Sequence, residues 1–271
     1  MKSKQIGPHL ILIVLVLCSL LPIIFAISYS LRIEQNIYGT PFTLIPPDPS
    51  LENYKTIFSR LPILRIIGNT MFIAAVVTFF KTLTGTLAAY AFVFFDFKGK
   101  NILYFILIST IFIPFTVTMI PNYLTVSALK LGDNPWGVIL PQLSDATGIF
   151  LIRQSMRTIP RSLVEISHLE DIGHMRILKD IVVPICRPAI ISTTIIFFIN
   201  SWNEYVWPLL VLRTKEQYTL SLALQLFVDA EGGSVITLQV TMAVITMAVP
   251  IILYLFFQRY IMSTFAASGI K

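Results

Sequence analysis

The sequence predicts an all-α, polytopic membrane protein with six transmembrane helices and one short charged helix at the bilayer surface. Three observations lead there. Charged residues make up 13% of the chain and hydrophobic residues 55%, whereas an ordinary soluble domain carries about 25% charged residues. Apolar runs long enough to cross about 30 Å of hydrocarbon recur along the 271 residues. The stretch Val164–Pro188, VEISHLEDIGHMRILKDIVVPICRP, then sets seven charged residues between two such runs.

The first run, Leu10–Tyr29, follows Lys2 and Lys4. Ala26-Ile27-Ser28 resembles a leader cleavage site, but the apolar stretch exceeds a typical leader core, so it is read as a retained first helix. The Arg32–Ile67 loop holds TPFTLIPPDPSLENYKTIF, whose prolines predict extended chain and then a short helix near Leu51–Phe58 with Ser50 as its N-cap. Further spans are expected at Met71–Phe95, Ile102–Val126, Trp136–Ile152, Ile181–Leu212 and Thr237–Phe257. DAEGGS, with Gly232-Gly233, reads as a turn entering the sixth. Pro184, Pro188 and Pro250 are expected to bend or begin helices. No internal repeat is visible, and residues 1–271 are expected to form a single transmembrane domain, with a core over about 67–262 and the charged elbow over about 160–180.

Orientation follows from Lys and Arg. With the N-terminus inside, 12 of the 20 fall on the inner face and 7 on the outer, leaving Lys81 within a span. The bias places both termini and the elbow in the cytoplasm. The net charge of +6 is spread through the chain without a basic arm, which argues against nucleic acid as a partner. Cys18 and Cys186 form no disulfide framework or CxxC pattern, and His9, His168 and His174 lack metal-ligand spacing. No cofactor is expected. The chain has no G-x-x-x-x-G-K-[ST] phosphate loop and cannot hydrolyse ATP alone.

Ser162 and Glu165 make the S-x-x-E pattern of a capping box opening the elbow helix. Leu163, Ile166, Leu169 and Ile172 form a narrow apolar stripe, with Glu165, His168 and Asp171 on the other side and Gly173 as a stop. An interfacial lipid helix favours Lys and Arg on its polar face. This one presents acid, which favours a protein partner.

These residues resemble the signature loop of ABC-importer permease subunits. The stretch GIFLIRQSMRTIPRSLVEISHLEDIGHMRILKDIVVPICRPAI keeps the family spacing between Glu165 and Pro184, and Pro188 matches a second proline. WNEYVWPLLVL followed by YTLSLAL, GNT at 68–70, LAAYAF at 87–92 and FDFKGKN at 95–101 are similar to the carbohydrate-uptake branch, in the manner of the maltose system's second permease. The likeness covers nearly the whole chain. It implies that Glu165, Ile166, Ser167, Leu169, Asp171, Gly173 and Pro184 belong to a coupling helix seated on a cytoplasmic ATPase dimer. It also implies a second permease subunit, an extracytoplasmic solute-binding protein and alternating access for a carbohydrate-type solute. The chain departs from the family at Ile166 and Ser167, where the motif has alanines, and at Asp171, where it has glycine. A left-handed aspartate costs about 1 kcal/mol, so the turn is expected to shift to Gly173.

Polar residues at membrane depth are functional candidates. Lys81 can snorkel, pair with a carboxylate of another subunit, or neutralise an anionic solute; FFKTLTG around it also resembles family members that carry glycerol 3-phosphate. Asn200, Asn203 and Glu204 share one helical face at i, i+3 and i+4, expected to border the solute path or the permease interface together with Tyr205. Trp202, Tyr205 and Trp207 can stack on sugar rings or form an interfacial aromatic belt. A secondary transporter working alone would need more ion-coupling carboxylates than Glu204, and a membrane enzyme would need a clustered catalytic set. Neither explains the acidic elbow.

Overall fold

A computed structural model describes residues 6–33, 43–46, 48–227 and 236–269, and among them every regular element is helical. The turn expected at Gly232-Gly233 lies outside the described residues. Helix α1 (Ile6–Ser30) ends where Ser30 O accepts hydrogen bonds from Asn53 Nδ2 (2.9 Å) and Thr241 Oγ1 (3.3 Å). Arg32 is buried just beyond, donating to Thr43 and lying over the Tyr29 ring at 4.4 Å. Helix α2 (Glu52–Arg60) begins one residue later than expected. Leu51 is its N-cap residue, while Ser50 Oγ accepts from Glu52 N at 3.2 Å.

Helix α3 (Ile63–Phe94) is the longest of the central helices. The expected third span is sharply bent. Helix α4 (Lys100–Ser109), with a 3-10 turn at Thr110–Phe112, meets α5 (Phe115–Ala128) at 99°. The break has a local cause: Pro114 forces Ile113 out of the helical region, to φ −82° and ψ 114°.

The expected fourth span, Trp136–Ile152, is not one helix. It divides into α6 (Pro135–Ile139), a 3-10 turn at Leu140–Gln142, and α7 (Ala146–Met156). Pro141 cannot donate to a continuing helix, and Asp145 restarts one by accepting from Gly148 N at 3.0 Å. Irregular backbone at membrane depth requires protein cover, and Gly137, Val138, Ile139, Gly148 and Ile149 around the break are buried.

Beyond α7 lie α8 (Arg161–Leu169) and α9 (His174–Ile177), which passes through a π segment, Leu178–Val182, into α10 (Val183–Asn203). The fifth span therefore runs His174–Asn203, not 181–212. It breaks at Glu204-Tyr205 and resumes as α11 (Val206–Val211). Helices α12 (Leu220–Gln225) and α13 (Ile236–Gly269) complete the described chain. Four helices are long and apolar enough to cross a membrane by themselves, and a fifth crossing arises if the α4–α5 pair counts as one span. The remaining expected span is the α6–α7 assembly.

Helices α3 and α10 pack along one another, joined by a Thr82–Thr194 hydroxyl contact of 3.1 Å, and α7 packs against both. Helices α1 and α13 pair beside them. Gly148 permits the closest approach. A Cβ there would stand 2.0 Å from Cζ of the buried Phe197. Gly148→Ala is expected to overpack this joint and destabilise the protein by about 1–3 kcal/mol, read as a lower unfolding temperature of the detergent-solubilised chain.

Candidate functional site

The elbow opens differently from the sequence expectation. Helix α8 starts at Arg161, with Leu163 N bonded to Pro160 O at 3.2 Å. Ser162 therefore lies inside the first turn instead of at the cap. Among the described residues neither Ser162 nor Glu165 makes a side-chain hydrogen bond, so the capping box does not form and Glu165 presents a free, exposed carboxylate.

One side of α8 faces the bundle. Val164 and Ser167 are buried, and Ser167 Oγ donates to Leu163 O at 2.8 Å. Val164 joins Ile159, Ile177, Leu178, Val182, Ala89 and Tyr90 in one cluster, with Ile172 against it. The rest of the expected apolar stripe points away. Ile166 is 57% exposed and Leu169 86%, with Leu163 partly exposed and Met175 at 71% beside them. The family alanine positions, Ile166 and Ser167, thus divide between the outer and inner faces.

The turn remains at Asp171. Its φ is +60°, and Ile172 N donates to Ser167 O at 3.0 Å, the long bond of a Schellman helix end with the left-handed residue at C′. Gly173 is extended (φ −68°, ψ 151°) and precedes α9. The expected shift to Gly173 does not occur, because the hydrogen-bond register of the helix end offsets the left-handed cost of the aspartate. Asp171→Gly is expected to stabilise the elbow by about 1 kcal/mol, seen as slower amide exchange over 163–172.

The elbow is fastened to the spans by His174, whose Nδ1 lies 3.1 Å from Tyr90 Oη and whose ring meets Phe95 at 4.5 Å. Pro184 is the second residue of α10, immediately after the π segment. It offers no N–H to the Asp180 carbonyl, and a widened turn is one way a helix accommodates that loss.

At the other end of α10, about 45 Å away for a 30-residue helix, lies a cavity of about 660 Å³. It gathers all five residues singled out above: Lys81, Asn200, Asn203, Glu204 and Tyr205. Sequence reasoning missed Asn122, Gln142 and Ser144, which also line it, and Asp145, which controls its charge. Lys81 Nζ lies 3.5 Å from Asp145 Oδ2 and 5.5 Å from the Phe197 ring centre. A carboxylate partner for Lys81 therefore lies within this chain. An acid inside a marked span was the available signal for it.

Asn200 and Asn203 are exposed to the cavity region, but α10 ends at Asn203, so Glu204 does not continue the helical face. Glu204 Oε1 accepts from Val206 N (3.0 Å) and Trp207 N (3.3 Å) and caps α11. Trp202 is fully buried, stacked on Phe198 with Nε1 donating to Thr246 O at 2.9 Å. Trp207 is buried edge-on to Phe115. Neither tryptophan fits an aromatic belt, and of the three aromatics only Tyr205 is exposed. Trp207 Nε1 and Ser201 Oγ, both on cavity-lining residues, are buried without hydrogen-bond partners.

Near the same end, Asp133 ties the α5–α6 loop to the segment after α11. It accepts from Arg213 N (2.8 Å), Thr214 N (3.0 Å) and Thr214 Oγ1 (2.9 Å). Burial alone would raise its pKa, but these bonds and the Arg213 charge hold it below the ordinary carboxylate value.

Residues 81–265 match the family model described as binding-protein-dependent transport system inner membrane component. The sn-glycerol-3-phosphate transport system permease protein UgpE of Brucella melitensis biotype 1 is 30% identical over 266 residues, 95% of this chain and 94% of the relative. The protein of the same name from Salmonella typhimurium is 30% identical over 265 residues, with the same shares covered. A chain from the crystal structure of a bacterial ABC transporter involved in the import of the acidic polysaccharide alginate superposes with a TM-score of 0.84. It covers 96% of this chain and 98% of that one at 24% identity, which establishes a shared fold. The chain belongs to the family of inner-membrane components of binding-protein-dependent transport systems, as a multi-pass, non-catalytic permease of the ABC-importer type.

Proposed function

We propose that this permease forms one half of an alternating-access path for a carbohydrate-type solute, beside a second permease subunit. Its elbow would lie in the cytoplasm against an ATPase dimer, and its cavity end would face an extracytoplasmic solute-binding protein. ATP hydrolysis is assigned to the partner, and both termini to the cytoplasm, on the Lys/Arg asymmetry.

The chemistry of the cavity lining is the observation that carries this reading. Most of its hydrogen-bonding groups are neutral, including the amides of Asn122, Gln142, Asn200 and Asn203, and they stand beside an apolar wall of Phe115, Pro141, Val206 and Trp207. Its lysine is paired with Asp145, and its glutamate is occupied by two backbone N–H groups. Such a lining suits hydroxyl-rich solutes. The relatives' sn-glycerol 3-phosphate supplies the second reading, which would require Lys81 to exchange Asp145 for the phosphate.

Asn200→Ala and Asn203→Ala are expected to raise the half-saturating solute concentration several-fold each, since a lost hydrogen bond costs about 0.5–1.5 kcal/mol. Membrane levels should stay normal. Uptake of radiolabelled oligosaccharide and of sn-glycerol 3-phosphate, measured side by side, checks this. Unchanged uptake of both solutes in both variants would remove the cavity from the path.

A further inference from the structure

A second cavity, of about 870 Å³, opens at the elbow end of the bundle and plays no part in the solute path described above. It lies where the end of α3, the start of α4, the end of α7 and the start of α8 converge. Four cations line it, Lys100, Arg153, Arg157 and Arg161, against a single acid, Asp96. Asp96 is already engaged by Lys100 at 3.3 Å. Arg153 stacks over Tyr104 at 3.8 Å, and its Nε is buried without a hydrogen-bond partner. Arg157 has no ion pair among the described residues.

Guanidinium groups pair with phosphate through parallel N–H bonds and are less strongly hydrated than ammonium groups. The cavity thus offers donors for an anion that the chain itself does not supply. Its rim is apolar. Ile102 lines it, and Phe105 and Ile106 continue the same exposed face of α4 at i+3 and i+4. A cationic hollow leading onto an exposed apolar ridge, at the level where spans leave the membrane, matches a phospholipid better than a soluble anion.

We infer that this cavity is a binding site for the headgroup of an anionic phospholipid of the inner leaflet, held by Arg153 and Arg157, with an acyl chain along α4. Basic pockets between spans at the cytoplasmic side serve this kind of recognition. Placing the site in the inner leaflet rests on the orientation proposed above. The lipid contact itself is tested without reference to topology.

The test is native mass spectrometry of the complete importer, purified in detergent and supplied with equal amounts of phosphatidylglycerol and phosphatidylcholine. Wild type is expected to retain phosphatidylglycerol preferentially. Arg153→Gln with Arg157→Gln should weaken retention by tenfold or more, at about fivefold per cation removed. Arg157→Lys, which keeps the charge, should retain most of it and serves as the folding control. Equal retention of the two lipids by wild type, or undiminished phosphatidylglycerol in the double variant, would overturn the site. Complete displacement of the lipid by millimolar inorganic phosphate would overturn the lipid assignment in favour of a free anion. A disulfide cross-link from Asn101→Cys to a cysteine in the ATPase would do so in favour of an acidic protein segment.

Discussion

Ile166→Asp combined with Leu169→Asp is expected to abolish ATP-driven uptake while the chain still inserts and pairs with its sister subunit. Both side chains project outward from α8, and neither contributes to the buried cluster beneath it. Their replacement should leave the elbow folded. Buried in a partner's groove, each would contribute about 1.5–3 kcal/mol, so losing both weakens docking by two or more orders of magnitude. Retention of the ATPase on affinity purification is the direct measurement. Glu165 gives a companion result. It caps nothing, so Glu165→Gln removes only a charge. Any loss of ATPase binding in that variant reports a charged contact, of about 2–5 kcal/mol if it is buried at the interface. Glu165→Lys should be the more severe change. Full ATPase retention in the double aspartate variant would show that this face of α8 is not the docking surface.

The second large effect is expected at the Lys81–Asp145 pair, and it should be asymmetric. Asp145→Asn keeps an N-cap acceptor for Gly148 N. It strands the Lys81 ammonium at membrane depth with the Phe197 ring as its nearest compensation. Removing one member of a fully buried pair costs about 3–5 kcal/mol. The two side chains are 14% and 29% exposed, so a loss nearer 2–3 kcal/mol is expected. Lys81→Met should cost about 1 kcal/mol less, because Asp145 keeps the Gly148 amide and the positive end of α7. The double variant Lys81→Met with Asp145→Asn should recover much of the loss. Thermal unfolding of the solubilised protein separates these cases. Equal destabilisation by the two single changes would refute the role assigned to α7.

Composition and apolar run length identified the long helices, because lipid leaves the backbone few alternatives. Breaks were less legible. Pro114 and Pro141 were visible, but how far a chain bends at a proline depends on the neighbours that cover its unpaired carbonyls. The 99° turn and the divided α6–α7 segment were therefore missed. At the elbow, the motif spacing located Glu165 and Pro184, yet an S-x-x-E pattern says nothing of Pro160 starting the helix two residues early. Substituting glycine by Asp171 suggested a displaced turn, whereas the bond from Ile172 to Ser167 fixes it in place. The cavity polar face was legible from the Asn200 and Asn203 spacing. Its electrostatics were not, since Lys81 and Asp145 are 64 positions apart in the sequence and no local pattern joins them.

The most direct measurement of energy coupling through the elbow is disulfide cross-linking from Leu169→Cys in a Cys18→Ser, Cys186→Ser background. Native membrane vesicles holding the whole importer are the material, with Tyr205→Cys at the opposite end of the fifth span as the control. Docking of α8 on a cytoplasmic ATPase should give a cross-link from position 169 to the ATPase, protection of that cysteine from an impermeant thiol reagent added outside intact cells in a parallel labelling, and no ATPase cross-link from position 205. External labelling of position 169, or a cross-link to the ATPase from position 205 in its place, would contradict it.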